Sequence, residues 1–476
     1  MAFAEYAEFD GLGLAALVRK GEVTAAELVE AAIERIERHN GSLNAVVFKA
    51  YDEARKTAAA PLPDGPFRGV PFLVKDHDVA VGGWPTTHGS RFLRNNIEPR
   101  DSGLVTRFRE SGVVLVGKTN APEYGITGTT EGAFLGACRN PWNLGHSTGG
   151  SSGGSSAAVA AGIVPMAHAA DGLGSIRIPA ACCGLVGLKV TRDRNPDLPD
   201  GYDYAFDLVV SHIVSRTVRD TAAMLDAVGK PEPASPYPAP PKERPYMQEI
   251  ERSPGRLRIA WPAEPSANRP VDPQVQAALA DTAALLKALG HEVIDRPLEI
   301  DYRALNAASG APSAANFAAG MRRMINIVGR EPEQDELEFL TWANLRAGRN
   351  VTGEQVMWGL QEIRMLNRRT LSFFEDIDVY LSPVMTAPAP PIGYLDPVAV
   401  RAREVNQRQG RLYPYTAPFN YSGQPSLSLP LAMSAEGLPI GMMFTARYAD
   451  EASLLRLAAQ LEKETPWKDR RPPIWG

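Results

Sequence analysis

Cysteine, histidine and net charge are all scarce in this chain. The three cysteines are Cys138, Cys182 and Cys183, two of them adjacent. Three thiols cannot build a disulfide framework, which predicts a cytoplasmic protein. Seven histidines are scattered, with no H-E-x-x-H pair and no Cys/His spacing suited to zinc. No metal and no cofactor are therefore expected. Fifty basic against 55 acidic side chains leave a formal charge of −5, with no basic footprint for nucleic acid or an anionic membrane. No run approaches the roughly 18 apolar residues of a membrane span. Residues 1–8 lack the basic and apolar regions of a secretory signal. Glycine and proline make up about 17% of the residues, below the roughly 25–30% that marks disorder. At 476 residues and 44% hydrophobic content, the chain can bury a substantial core.

Local signals are clear in several places. Thr24 followed by Glu27 forms a capping box, with Val23 and Leu28 as a hydrophobic staple. Leu28, Val29, Ala32, Ile33 and Ile36 then recur at helical spacing, and Gly41 is the expected stop. Short apolar runs at 70–74, 113–116, 162–166 and 185–190 alternate with helical stretches at 104–110 and 157–161. That rhythm predicts an α/β arrangement with strands buried on both faces. Seven prolines fall within 231–245 and predict a surface crossing. It is not read as a domain boundary, because strands at 257–261 and 291–294 and a helix at 272–289 resume the same rhythm. Residues 302–370 read as mainly helical. A second proline cluster spans 383–397, followed by strands near 426–431 and 439–444 and a helix at 451–464.

Two serine-bearing glycine loops stand out, Gly149-Gly150-Ser151-Ser152-Gly153-Gly154-Ser155 and Asp171-Gly172-Leu173-Gly174-Ser175-Ile176-Arg177. Glycines at this density let backbone amides converge on one point, as a developing oxyanion requires, and a serine beside them can attack. Linkers and phosphate cradles have similar composition. The P-loop pattern fails, because no lysine follows the last glycine. Gly145-His146-Ser147-Thr148-Gly149 matches the nucleophile-elbow pattern, but loop-forming Arg139 to Asn143 stands where a strand is needed. The remaining route is a serine activated by lysine. Burial in an apolar environment favours the neutral amine that a base needs. Lys75 ends the run Gly69-Val70-Pro71-Phe72-Leu73-Val74 in a fitting position, although a lysine at a strand end is usually solvated.

These loops, with Cys183-Gly184-Leu185-Val186-Gly187-Leu188-Lys189 and Gly69 to Asp76, resemble the amidase signature family. Gly117 to Asn120, Asn140 to Trp142, Arg216 to Asp220, Asn420 to Pro425 and Gly437 to Gly441 fit the same pattern, in one order over nearly the whole chain. The resemblance implies one large α/β domain over 1–476, with a twisted, mostly parallel mixed sheet covered by helices on both faces. It implies Ser175 as nucleophile, Ser151 as bridging serine after a cis Gly150–Ser151 peptide, and Lys75 as base. Backbone amides of Gly172, Leu173, Gly174 and Ser175 would form the oxyanion hole, and Gly125, Ile126, Thr127, Gly128, Gly150 and Ser152 would line the substrate site. Asp171 and Arg177 read as a brace for the loop, and Cys182 and Cys183 as buried inert thiols.

Three departures qualify the resemblance. Leu173 stands where the family usually has glycine, Met443 where glutamine is common, and Gly125 to Gly128 replace a stretch that often lines the acyl pocket. Met321, Met324, Phe339, Leu340 and Trp342 read either as core or as a pocket wall. The expectation is hydrolysis of a hydrophobic small-molecule amide, anilide or carbamate, with the Gly174 to Cys183 stretch resembling the nylon-oligomer and urethane branch. Neither nucleic acid nor membrane is an expected partner, and a homodimer is left open. The alternatives are the amidase subunit of a tRNA-dependent amidotransferase and an inactive scaffold.

Overall fold

Eleven strands form one continuous sheet. Across it they run Val46–Lys49, Val114–Thr119, Pro71–Lys75, Met166–Asp171, Val210–Ser215, Val186–Lys189, Ser426–Met433, Pro439–Ala446, Val379–Pro383, Arg258–Trp261 and Glu292–Asp295. The computed structural model describes residues 3–196, 208–230, 235, 237–265, 269–396 and 401–476. Part of the proline-rich stretch at 231–245 and Pro397 of the second cluster lie outside the described residues. Where 237–245 is described, it carries neither helix nor strand.

The sheet is mixed, and its parallel pairings occupy two flanks. Pro71–Lys75 lies parallel to both Val114–Thr119 and Met166–Asp171. Arg258–Trp261 lies parallel to Val379–Pro383 and Glu292–Asp295. The strands between these flanks pair antiparallel. Helices complete a single α/β unit, and two buried apolar clusters hold it together. One gathers the helices Ala25–Leu43 and Gly153–Ala160 against strands that include Pro71–Lys75; the other gathers Pro273–Ala288 and Glu451–Glu464 against the antiparallel centre.

The first long helix shows how local sequence is honoured and then overridden. Thr24 Oγ1 accepts from the Glu27 amide at 3.2 Å, and Glu27 Oε2 accepts from the Thr24 amide at 2.8 Å. Its stripe Leu28, Val29, Ala32, Ile33 and Ile36 is buried, each large side chain contributing about 1.5–3 kcal/mol. The helix does not stop at Gly41 but continues to Leu43. The stop is Asn44, left-handed at φ 51°, a conformation that asparagine tolerates. Asn40 Oδ1 secures the exit by accepting from the amides of Ala45 and Val46 at 2.8 and 2.7 Å.

A second departure lies closer to the serine loops. The strand expected at 162–166 begins only at Met166, and residues 162–165 form the turn before it. The strand Met166-Ala167-His168-Ala169-Ala170-Asp171 has little β-branched character, so propensity hides it. Small side chains serve it better, because the helix Gly153–Ala160, built of Gly, Ser, Ala and Val, packs on this strand. That helix starts four residues earlier than expected, inside the glycine loop.

Gly154 shows how close the packing is. A Cβ there would lie 2.4 Å from Asn120 N, 2.6 Å from Asn120 O and 2.7 Å from Ala45 O, all backbone atoms. Gly154→Ala is therefore expected to destabilise the protein by about 3 kcal/mol or more, since no flexible side chain can yield. A thermal unfolding midpoint equal to that of the unmodified protein would contradict this packing.

Candidate active site

The site forms where two adjacent parallel strands end. In open α/β sheets the carboxyl ends of strands open into loops that can converge. Pro71–Lys75 delivers Lys75, and its neighbour Met166–Asp171 delivers the loop that carries Ser175. Lys75 is 1% exposed and Ser151 is 2% exposed. Lys75 Nζ lies 2.8 Å from Ser151 Oγ and 3.1 Å from Asp78 Oδ2. The Lys75 amide donates to His168 Nδ1 at 3.3 Å. Burial pushes the His168 imidazole down to about 3, which keeps it a neutral acceptor there. The Gly150–Ser151 peptide is cis. Ser175 is half-buried, in the turn that leads into the helix Arg177–Cys183.

A buried ion pair fixes the Ser175 loop. Asp171 and Arg177 are both fully buried. Asp171 Oδ1 accepts from Gly174 N at 2.7 Å, Arg177 Nη2 at 2.9 Å and Asn420 Nδ2 at 2.9 Å. Its Oδ2 accepts from Arg177 Nε at 2.9 Å and the Ile176 amide at 3.2 Å. Burial alone would raise the Asp171 carboxyl, but the Arg177 charge and these donors outweigh it and hold the group well below the usual carboxylate range. Arg177 Nη1 donates to Thr416 O at 2.9 Å and reaches Met443 Sδ at 3.5 Å. Met443 thus packs on the brace.

Gly174 is not a free oxyanion donor, because its amide is spent on Asp171. Its φ of 140° and the Thr416 Oγ1 atom, 2.5 Å from where a Cβ would sit, explain why glycine is required. The amides of Gly172, Leu173 and Ser175 have no acceptor among the described residues. Leu173 is not left-handed. Its carbonyl accepts from Thr416 Oγ1 at 2.6 Å, and its side chain is 47% exposed.

The residues expected to line the substrate site divide into two groups. Gly125 borders the Ser151 hydroxyl, since a Cβ there would lie 3.2 Å from Ser151 Oγ and 3.5 Å from His77 Nε2. Ile126 is half-buried beside the cluster of Phe92, Tyr124, Met321 and Met324. The other four contact neighbouring protein groups. Thr127 Oγ1 donates to Thr129 O at 3.0 Å, and the Gly128 amide donates to Gln409 Oε1 at 2.7 Å. Gly150 lies against the Thr129 backbone, where a Cβ would meet O at 2.6 Å. Ser152 Oγ is held by Ala170, donating to its carbonyl at 3.2 Å and accepting from its amide at 3.3 Å. Met321, Met324 and Leu340 are buried core rather than open wall, and Phe339 faces outward.

Sequence reasoning missed Asp78, His77, His168 and Thr416. Asp78 was within sight, three residues after Lys75, but nothing in that spacing reveals its aim. Asn420 stands in a quoted motif without a role, and the fold gives it one, donating to Asp171 and accepting from Arg177 Nη2 at 2.6 Å. All three thiols are buried, and burial pushes that of Cys138 up to about 12 and the other two upward. Among the described residues no group of three histidine, cysteine or acidic side chains could hold a metal, and no helix is long and apolar enough to cross a membrane.

Residues 27–455 match the model of the Amidase family. The chain belongs to the amidase signature family, and it is an amidase, a hydrolase of linear or cyclic C–N amide bonds. It is 38% identical over 480 residues to 6-aminohexanoate-cyclic-dimer hydrolase of Paenarthrobacter ureafaciens, covering 98% of this chain and 96% of that one. A solved structure of 6-aminohexanoate cyclic dimer hydrolase complexed with substrate superposes with a TM-score of 0.94 at 37% identity, covering 99% of this chain and all of the other. A bacterial aryl acylamidase of the amidase signature family gives 0.87 at 26% identity, over 97% and 98% of the two chains. The A subunit of a Glutamyl-tRNA(Gln) amidotransferase from Thermotoga maritima, at 24% identity and 0.77 over 98% and 97%, shares the fold.

The brace yields a stability prediction. Arg177→Met leaves a buried carboxylate without its partner and is expected to cost about 3–5 kcal/mol. Because folding lowers the proton affinity of Asp171, the pair's contribution is complete above the ordinary aspartate value of about 3.9 and is lost as pH falls through the folded-state value. Denaturant titrations from pH 3 to pH 7 should therefore show a weaker loss of stability toward acid in Arg177→Met than in the unmodified protein. Equal acid slopes would contradict the assignment.

Proposed function

We propose that this amidase cleaves a carboxamide, anilide or carbamate through a serine acyl-enzyme. Ser175 Oγ attacks the carbonyl carbon while Ser151 Oγ takes its proton and passes its own to the Lys75 amine. On collapse of the tetrahedral species Ser151 returns a proton to the leaving nitrogen, without which an amine departs poorly. Water then releases the acyl group by the same relay. The observation that carries this reading is the 2.8 Å approach of a buried Lys75 Nζ to Ser151 Oγ, on the strand next to the one that presents Ser175. The amides of Gly172, Leu173 and Ser175 are the proposed oxyanion donors, since Asp171 engages that of Gly174.

The substrate we favour is an uncharged, largely apolar small molecule. Leu173 puts an exposed isobutyl group in the nucleophile loop, and Ile126 adds apolar surface next to Gly125. The relationship to 6-aminohexanoate-cyclic-dimer hydrolase adds cyclic amides to the candidates. The amidotransferase subunit is not favoured, since that likeness extends to the fold alone. Three buried, unpaired cysteines support a reducing, cytoplasmic setting.

A panel of p-nitroanilides, matched esters, carbamates and a cyclic diamide tests this reading. Ser175→Ala is expected to reduce amide turnover about a thousandfold or more. Unchanged amide turnover in that variant would remove the mechanism. Lys75→Ala is expected to reduce amide cleavage more than ester cleavage, because an alkoxide leaves without the relayed proton more readily than an amine. Equal losses on the two substrate classes would count against the relay.

A further inference from the structure

Two buried lysines stand at neighbouring strand ends, and their surroundings differ. Lys118 Nζ donates to Pro85 O at 2.7 Å, Thr86 Oγ1 at 2.6 Å and Asp76 Oδ1 at 3.3 Å. All three ammonium protons are used, and that group is a structural cation. Lys75 Nζ has two partners, the Ser151 hydroxyl at 2.8 Å and the Asp78 carboxylate at 3.1 Å. With only these two contacts among the described residues, the amine can keep an N–H on Asp78 and present its lone pair to Ser151.

The chain is shaped to bring Asp78 there. After the strand ends at Lys75, the backbone turns left-handed at Asp78, with φ 71°. Aspartate and asparagine tolerate that conformation better than other non-glycine residues. The turn folds the carboxylate back onto the side chain three residues earlier. Its side chain is only 7% exposed, and its other oxygen lies 2.5 Å from His77 Nδ1. Burial disfavours a carboxylate anion there, and the neighbouring His77 and, in its ammonium form, Lys75 outweigh it, holding Asp78 well below the usual range. His88, edge-on to His77 at 4.7 Å, is kept neutral by burial. Lys118 adds a positive charge that is felt at His88 and His168, and His168 itself is neutral.

We propose that Asp78 is a positioning residue for Lys75, orienting its amine toward Ser151 and stabilising the ammonium formed when Lys75 takes the Ser151 proton. This inference rests on Lys75 being the base. In the uncharged state Nζ donates a proton toward Asp78, which turns its lone pair to the Ser151 hydroxyl. The Ser151 O–H bond then breaks, an N–H bond forms, and Ser151 takes the Ser175 proton as Ser175 bonds to the carbonyl carbon. The positive charge arises 3.1 Å from a fixed anion. An aspartate behind the histidine of a serine–histidine–aspartate triad acts in the same way.

Asp78→Asn is the informative variant, because asparagine keeps the left-handed backbone and removes the charge. Anilide turnover is measured against pH for the unmodified protein, Asp78→Asn, Asp78→Gly, Asp78→Glu and Lys75→Ala. In Asp78→Asn the plateau kcat is expected to fall about 10- to 100-fold. Its acid limb is expected to move about one pH unit lower, because an ammonium without a neighbouring carboxylate loses its proton more easily. A merely structural residue would lower the plateau and leave the limb in place, and that result overturns the proposal. If Asp78→Asn does not fold, Asp78→Gly decides, because glycine also accepts the left-handed backbone and removes the charge. An acid limb moved lower in that variant, beside an unmoved limb in Asp78→Glu, supports the proposal, and a limb left in place in Asp78→Gly overturns it. Lys75→Ala separates the two levels. Full amide turnover in that variant removes Lys75 as base and the present inference with it. An inactive Lys75→Ala beside an unaltered Asp78→Asn profile removes the inference alone.

Discussion

The Asp171–Arg177 pair is the constraint on which the site depends. Two charges with no solvent access are tolerable only when their lone pairs and protons are met. Here the carboxylate accepts from Arg177, Asn420 and two loop amides, while the guanidinium also reaches Thr416 and Asn420. The donors that satisfy Asp171 come from the loop it must hold, so meeting its needs sets the path of residues 172–176. Bending that loop would strand a buried charge. The amide of Gly174 is consumed in the process.

A different balance governs the lysine side. Lys118 and Lys75 come from adjacent parallel strands and both sit near an aspartate. Three acceptors saturate one and two contact the other. That difference sets the two lysines apart, and it follows from where Pro85 and Thr86 pass. Packing of Gly154 against the Asn120 backbone sets the start of the helix behind Ser151. The hydroxyl and the amine are thus located by close packing on one side and by sheet register on the other.

Much of this was legible in the chain. The capping box at Thr24, the strand ending at Lys75, the apolar run at 113–116, the helix 451–464 and the two glycine loops all carry local signals, because each is formed by residues close in sequence. Other elements were hidden. Met166–Asp171 is alanine-rich and reads poorly as a strand, and only packing under a small-residue helix makes that composition suitable. Gly41 is a plausible helix stop, but Asn44 takes the left-handed position once Asn40 can hold the exit. Thr127, Gly128 and Ser152 are polar or flexible residues near the loops, and their partners Thr129, Gln409 and Ala170 are visible only in the fold.

The sequence alone determined the family, the serine loops and Lys75 at a strand end, since these rest on short segments whose chemistry and backbone needs are local. Only the tertiary structure decided which groups face one another. Arg177 and Asn420 are 243 residues apart, and Thr416 reaches Leu173 across the same span of chain. Asp78 is three residues from Lys75, yet a left-handed turn inside a closed core was needed to aim it. Side-chain pairing depends on direction and burial, and spacing along a chain specifies neither.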